Sequence, residues 1–352
     1  MKKTRKGLAM VLALALAATA LGGCTTGGSE QASAGESGTV KEGGTRTPRS
    51  GDKFTVGISM VSIVIPFYVT IRDTVQSICD EKGWECVVLD AQGDSNKQIS
   101  DMEDLVTQGC DVILCNSYDT SILTTTINRL RDEENIPVIA IDNALDSDAK
   151  VLTCVQADNY GNGFVCGKWV AQQMKGKPIK AALISGQMGT INSLNRRDGM
   201  IAGIIEEQLA SEGEVNLEII AQGYCDNWAE DNAVTAMEDI VALNEEFNVL
   251  LSEADVMTMA AMQVLEEHNM LQDKLIAACA DGQKEAFELI KEGKYGCTGT
   301  NSPTKIGEYA CDVADKWFSG SGFGDFPAYT YTPAACVTID NIDDYYDPNA
   351  TF

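Results

Sequence analysis

Eight side chains of three chemical types follow short apolar segments of this 352-residue chain. They are two carboxylates, three amides and three aromatic rings: Asp142, Asp281, Asn116, Asn143, Asn301, Phe67, Tyr68 and Trp228. Carboxylates and amides pair with hydroxyl groups, while an aromatic face covers the C–H face of a ring. A phosphate or carboxylate ligand would instead require arginine or lysine at these positions. The set therefore predicts a binding site for a small, uncharged molecule that carries several hydroxyl groups.

The segments that precede these residues alternate with helical patterns along the chain. Runs such as FTVGISM (54–60) and IPVIAID (136–142) are almost continuously apolar, whereas residues 67–82 place apolar side chains three and four apart. Such strands alternating with helices predict an α/β fold whose parallel sheets are covered on both faces, here as two doubly wound lobes. Because a ligand crevice lies beyond the carboxyl ends of parallel strands, we expect the eight residues to converge there.

The N-terminus predicts an exported protein. Four basic residues among the first six precede an apolar run at 8–21 and small residues before Cys24, which is typical of a secretory signal at 1–23. The ending resembles a bacterial lipobox, which implies that the Cys24 thiol carries a lipid that anchors the protein to the outside of the cell membrane. An ordinary cleaved signal is the alternative. Residues 24–52 are rich in Gly, Ser and Thr and predict a flexible linker.

The charge and the cysteines restrict the classes of function. A formal net charge of −26 excludes nucleic acids and anionic membrane surfaces as ligands. The cysteines show no CxxC pair and the chain has one histidine, so we expect mostly reduced thiols, no metal site and no cofactor, with one or two disulfides left open. There is no GxSxG motif, and the histidine lies away from the strand ends, so we expect no enzymatic activity.

Seven motifs follow one another along the chain: SMVSIVIPFYVTIRD (59–73), VVLDAQGD (87–94), ILCNSYD (113–119), IPVIAID (136–142), DNYGNG (158–163), RRDGM (196–200) and ADG (280–282). Their order and spacing resemble the periplasmic sugar-binding proteins of ABC transporters, in their ribose-binding-like branch. The resemblance implies the type I fold, with an N-terminal lobe of 53–157 plus 302–332, a C-terminal lobe of 158–301 plus 333–352, and a three-segment hinge.

The same resemblance implies a function and partners. The protein is expected to be a monomer that closes its hinge on a sugar-like ligand and delivers it to an ABC permease in the membrane. An alternative is that the same clamp presents its closed form to a membrane sensor kinase or a chemoreceptor.

The resemblance also assigns roles to the eight residues. Phe67 and Tyr68 match an aromatic pair and Trp228 a stacking ring, while the two carboxylates match those that hold sugar hydroxyls. Asn116 matches an amide at the end of a strand, and Asn301 stands where glutamine is usual. Four positions depart from the ribose pattern and predict a drier pocket for a ligand other than ribose: Ile65, Asn143, Leu194 and Ala254. Arg196 matches a residue with a structural role.

Structural roles are the alternative at several of these positions. Phe67 and Tyr68 are also typical of a hydrophobic core, the two carboxylates are typical of residues that cap turns, and Trp228 is typical of a residue that only packs against its neighbours. Gly161, Gly163 and Gly167 are a weak signal for a phosphate cradle and a stronger one for the start of a helix, for which Asp158 is the expected N-cap.

Overall fold

A computed structural model describes residues 46–49, 51–117 and 119–352. The predicted signal, Cys24 and most of the predicted linker lie outside the described residues. The strands are β1 Thr55–Met60, β2 Glu85–Asp90, β3 Val112–Cys115, β4 Val138–Ile141, β5 Cys154–Ala157, β6 Ile179–Ser185, β7 Leu217–Tyr224, β8 Val249–Ser252, β9 Leu275–Ala278, β10 Thr298–Gly299, β11 Tyr329–Thr332 and β12 Cys336–Val337. The α-helices are α1 Pro66–Lys82, α2 Ser95–Thr107, α3 Thr124–Glu134, α4 Asn159–Gln173, α5 Ile191–Glu212, α6 Glu230–Ala242, α7 Asp255–Glu267, α8 Lys284–Lys291 and α9 Pro303–Phe318.

The first lobe is built on a six-stranded sheet, and helices α1, α2, α3 and α9 belong to it. Its order is β11-β5-β4-β3-β1-β2, and every neighbouring pair is parallel. Since β2 and β3 lie on opposite sides of β1, the strand order reverses between β1 and β3. Such a reversal opens a crevice at the carboxyl ends of the two strands.

The second lobe is built on a four-stranded parallel sheet with the order β7-β6-β8-β9, and helices α4 to α8 belong to it. Here the strand order reverses between β6 and β8. The prediction of two lobes with parallel α/β sheets is therefore confirmed, with one addition. The short strands β10 and β12 pair with each other and are antiparallel. The lobe boundaries given above stay a prediction.

Three segments lead from one lobe to the other, after β5, after β10 and after β11. Asn162, in the first turn of α4, joins all three. Its Nδ2 donates to the carbonyl oxygen of Thr300, and its Oδ1 accepts a hydrogen bond from the backbone nitrogen of Ala335 at 3.0 Å. Asp158 caps α4 by accepting from the backbone nitrogen of Gly161 at 2.8 Å, as predicted.

Helices α4 and α5 contact each other backbone to backbone, because glycines face each other across the contact. A Cβ atom on Gly163 would lie 2.2 Å from the carbonyl oxygen of Arg196, and one on Gly203 would lie 2.1 Å from that of Phe164. Gly167 and Gly199 are equally crowded. The glycines of the 158–167 segment thus start and pack a helix. The close contact fixes the position of Arg196, which projects from α5.

The described part of the predicted linker packs against the first lobe. Arg46 donates from Nε to the carbonyl oxygen of Trp317 at 2.8 Å, and its guanidinium lies 3.4 Å from the centroid of that ring. This end of the linker is therefore held by α9. No helix within the described residues has the length and apolar character that crossing a membrane requires. The cysteines of the same residues carry free thiols, most of them buried.

Candidate functional site

Asn116 lies at the crevice of the first sheet, directly after β3. Its backbone nitrogen donates to the carbonyl oxygen of Ser59 at the end of β1 (3.0 Å), and its Nδ2 donates to that of Ile141 in β4 (3.3 Å). The side chain is fully buried, and its Oδ1 accepts no hydrogen bond from any residue that the structure describes. Because buried acceptors in proteins are normally paired, this oxygen is a candidate acceptor for a bound molecule.

The two predicted carboxylates meet at Asn301. Asp142 follows β4 in the first lobe, and Asp281 follows β9 in the second. The Nδ2 of Asn301 donates to Asp281 Oδ1 at 3.1 Å, and the same side chain hydrogen-bonds Asp142. Tyr68, buried at the start of α1, also hydrogen-bonds Asp142. The structure thus brings four of the eight predicted residues into one polar cluster that contains a carboxylate from each lobe.

Arg196 is the cation of this cluster, which the sequence analysis assigned to a structural role. Its Nε donates to Asn159 Oδ1 at 2.8 Å, one terminal nitrogen donates to the carbonyl oxygen of Glu253 at 3.0 Å, and the other lies 3.1 Å from Asp281 Oδ1. The side chain is buried. Buried charges require such pairing, and the planar guanidinium supplies several donors in a fixed arrangement. Arg196 therefore holds Asp281 in place and supplies positive charge beside Asp142.

The pKa of the Asp142 carboxyl is raised to about 7, chiefly by burial. The charge of Asp281 also raises this pKa, whereas the charge of Arg196 lowers it. Hydrogen bonds from Tyr68 and Asn301 act in the lowering direction. Burial lowers the pKa of Arg196, but Asp281 and other neighbouring acids outweigh this effect and leave it raised. At neutral pH the cluster therefore contains a fixed cation and a carboxyl group that titrates.

Asp255 orients the segment that carries Asp281, and the sequence analysis above assigned it no role. It is fully buried at the first position of α7. Its Oδ2 accepts hydrogen bonds from the backbone nitrogens of Asp281, Gly282 and Gln283 at 2.8–3.0 Å, and its Oδ1 accepts from the Tyr295 hydroxyl at 2.8 Å. Burial raises the pKa of Asp255 to about 6. A carboxylate three residues after the end of β8 was the only sequence signal for this role.

Trp228 lies in the loop between β7 and α6, at the second sheet's crevice. Its φ is 57°, in the left-handed region that bulky residues seldom adopt. The ring lies against Gly186, where a Cβ atom would be 2.3 Å away, and the Arg196 guanidinium is 5.1 Å from the ring centroid. This is within cation–π range. The half-buried ring thus connects the polar cluster to the core of the second lobe.

Phe67 and Asn143 lie where the lobes contact each other. The Phe67 ring packs edge-on against Tyr68 and against Phe352, with centroids 5.7 and 5.1 Å apart. Asn143 Oδ1 accepts a hydrogen bond from Asn192 Nδ2, on α5, at 3.2 Å. Asn143, at a position where the resemblance implies an arginine, therefore forms a hydrogen bond to the opposite lobe.

The other three positions that depart from the ribose pattern lie close in sequence to Tyr68, Arg196 and Asp255. Ile65 directly precedes α1, Leu194 is in the first turn of α5, and Ala254 directly precedes α7. Each of these positions supplies methyl groups where the resemblance implies polar side chains.

A possible metal-ligating group occurs elsewhere in the second lobe. The thiols of Cys166, Cys297 and Cys336 all lie within 4.8 Å of one another. Their spacing in the chain gave no signal, because three separate segments bring them together. The absence of a metal site therefore stays a prediction.

The fold agrees with comparisons to known proteins. The family described as periplasmic binding protein domain matches residues 56–321. This chain belongs to that family. The ribose import binding protein of Bacillus subtilis (strain 168) is 28% identical over 273 residues, which cover 77% of this chain and 84% of that protein. The galactofuranose-binding protein of Escherichia coli (strain K12) is 24% identical over 269 residues, which cover 75% of this chain and 81% of that protein.

A solved structure extends the comparison. A crystal structure of an ABC transporter solute binding protein from Mycobacterium smegmatis with bound glycerol has a TM-score of 0.72 and 27% sequence identity, and the match covers 85% of this chain and 98% of that chain. The resemblance inferred from the seven motifs is confirmed at the level of the family. These relatives are named as binding proteins and not as enzymes.

Proposed function

We propose that this periplasmic binding protein captures a small, uncharged, polyhydroxylated molecule, a sugar or a sugar derivative, and delivers it to an ABC permease. The observation that carries the proposal is the polar cluster in which Asp142 and Asp281, one from each lobe, meet at Asn301. The relatives named for ribose and galactofuranose, and the solved structure with bound glycerol, support a neutral polyhydroxy ligand.

Each predicted residue has a role in this proposal. The two carboxylates and the amides of Asn116, Asn143 and Asn301 bond to ligand hydroxyls. The aromatic rings of Phe67, Tyr68 and Trp228 enclose the ligand ring. Ligand contacts from both lobes favour the closed form and exclude water. The paucity of cations at the strand ends supports a neutral ligand over a phosphorylated one.

The proposed site of action is outside the cytoplasm, with Cys24 lipidated and the protein otherwise monomeric. A Cys24→Ser variant expressed in a bacterial host tests the anchor. We expect the unchanged protein to partition into the detergent phase and the variant into the aqueous phase. Equal partitioning of the two would contradict the anchor and leave the binding function untouched.

A thermal-shift screen against pentoses, hexoses, deoxysugars, polyols and nucleosides tests the binding function. A compound that binds the folded state raises the melting temperature by mass action. Calorimetry with the best compound then compares Trp228→Ala with Trp84→Ala, which removes a half-buried tryptophan that packs edge-on against Phe318 in the first lobe. We expect the first variant alone to lose affinity. Equal affinities would remove Trp228 from the site, and a screen without any stabilising neutral compound would overturn the proposal.

A further inference from the structure

Three thiols from distant parts of the chain meet in the second lobe. Cys166 is on α4, Cys297 directly precedes β10, and Cys336 begins β12. Cys166 and Cys297 are fully buried, while Cys336 is half-buried. Within the part of the chain that the structure describes, this is the one set of three His, Cys, Asp or Glu side chains whose ligand atoms all lie within 4.8 Å. The arrangement brings three soft ligands to one point.

We propose that Cys166, Cys297 and Cys336 form a trigonal site for one thiophilic metal ion, Cu(I) in particular. A d¹⁰ ion about 2.3 Å from each of three thiolates separates the sulfur atoms by about 4.0 Å, which is compatible with the observed limit. Thiolates select soft ions such as Cu(I) over Mg²⁺, Ca²⁺ or Mn²⁺. Among the described residues, no fourth His, Cys, Asp or Glu belongs to this group. An ion that is satisfied by three sulfurs therefore fits the group better than Zn²⁺, which prefers four ligands.

Protonation of the three thiols determines how binding depends on pH. Hydrogen bonds from Cys166 and Cys297 lower the pKa of the Cys336 thiol, whereas burial raises the pKa values of Cys166 and Cys297. Because the ion binds thiolates and not thiols, coordination displaces the thiol protons, and the affinity for Cu(I) increases with pH.

The location links the site to the three connections between the lobes. Cys166 is one turn after Asn162 on α4, Cys297 precedes Thr300 by three residues, and Cys336 directly follows Ala335. A bound ion therefore joins the same three segments that Asn162 joins by hydrogen bonds. Since the ion binds only when these segments are together, it stabilises the folded state.

Cu(I) titration under anaerobic, reducing conditions tests the site in the full chain. A chromophoric Cu(I) chelator serves as competitor, and Cu(I) alone is the probe. We expect the unchanged protein to bind one Cu(I) per chain with a raised melting temperature, and X-ray absorption to show three sulfur ligands. We expect the Cys336→Ser variant to lose this one bound Cu(I). Cys86→Ser is the matched control, because Cys86 is also half-buried and beside another thiol, Cys79, but outside the three-thiol group.

Three results would overturn the proposal. The first is equal Cu(I) uptake by the unchanged protein and Cys336→Ser. The second is loss of the bound Cu(I) in Cys86→Ser as well, which would indicate unspecific thiol binding. The third is a disulfide between two of the three cysteines, detected by mass spectrometry in protein isolated without added reductant.

Discussion

The guanidinium of Arg196 makes three polar contacts within the second lobe, to Asn159, Glu253 and Asp281. It is also the residue whose sequence interpretation changed most, since the resemblance assigned it structural support alone. Its role in the fold and its role in the candidate site depend on one group, because the guanidinium that pairs with Asp281 also places a positive charge near Asp142.

Replacing Arg196 by methionine should lower the free energy of unfolding by about 3–5 kcal/mol, because Asp281 keeps a partly buried charge without its cation. Urea unfolding measures the change. Arg197→Met is the matched control, since Arg197 pairs with the exposed Asp198 at 3.2 Å, and exposed pairs contribute at most about 1 kcal/mol. Equal losses in the two variants would remove the buried contacts of Arg196 as the cause.

The Asp142 carboxyl predicts a pH dependence of stability. Its pKa is about 7 in the folded protein and lower in the unfolded chain, so the folded state binds this proton more tightly. The stability that this proton contributes is full below about pH 4 and is lost as pH rises through about 7. Asp142→Asn should therefore become more stable relative to the unchanged protein between pH 4 and pH 8. Thermal unfolding across this range measures it, with the exposed Asp312→Asn as control, and parallel pH curves would contradict it.

At the scale of elements, the contact between α4 and α5 decides where the site residues stand. Asn159 and Asn162 project from α4, and Arg196 projects from α5. Both helices have glycine at the points of closest approach, so the two backbones touch without intervening side chains. Movement of either helix would therefore displace hydrogen bonds of the candidate site and of the connections between the lobes.

Gly163→Ala tests this contact. Alanine is favoured over glycine in an open helix by about 1 kcal/mol, but here its Cβ would lie 2.2 Å from a backbone oxygen of Arg196. We expect the free energy of unfolding to fall by about 1–3 kcal/mol, as in overpacked cores. Gly324→Ala is the control, because an added Cβ there meets open space. Stabilisation by Gly163→Ala would show that the helices can separate at no cost.

The sequence predicted the elements better than the contacts between them. Apolar periodicity determines strands and helices locally, and the rule for crevices then places Asp142 and Asp281 at strand ends. The central position of Arg196, the backbone bonds of Asp255 and the three-thiol group all depend on which helices and loops become neighbours. A side chain's own neighbours in the chain carry no information on such pairings.

At the scale of the whole molecule, residues near Phe352 link the lobes beside the site. Lys284, at the start of α8 in the second lobe, donates to the carbonyl oxygen of Pro348 at 2.6 Å. A few residues later, Thr351 is hydrogen-bonded to Thr70 on α1, and Phe352 packs against Phe67. The segment thus extends from one lobe to the other, and opening the hinge requires that one of its two ends detaches.

Phe352→Ala should speed release of a bound sugar. Loss of one aromatic contact of about 1 kcal/mol corresponds to about a five-fold increase in the dissociation rate, if the contact exists only in the closed form. Stopped-flow displacement of the sugar found by the thermal-shift screen measures this rate. Tyr346→Phe is the control, because that hydroxyl bonds to Glu288 within the second lobe. An unchanged rate in Phe352→Ala would mean that the contact persists in the open form.

The chain has four tryptophans, and their surroundings differ in a way that favours optical measurement. Within the described residues, Trp84 packs edge-on against Phe318, Trp317 packs on Phe323 and Trp169 lies close to Gly296, and none of these contacts involves a residue of the polar cluster. Trp228 alone has a cation of that cluster over its ring. Because indole emission responds to adjacent charge and to water, an entering solute would alter the light from one fluorophore against a constant background. Candidate solutes can thus be titrated with the unlabelled protein in a simple fluorimeter.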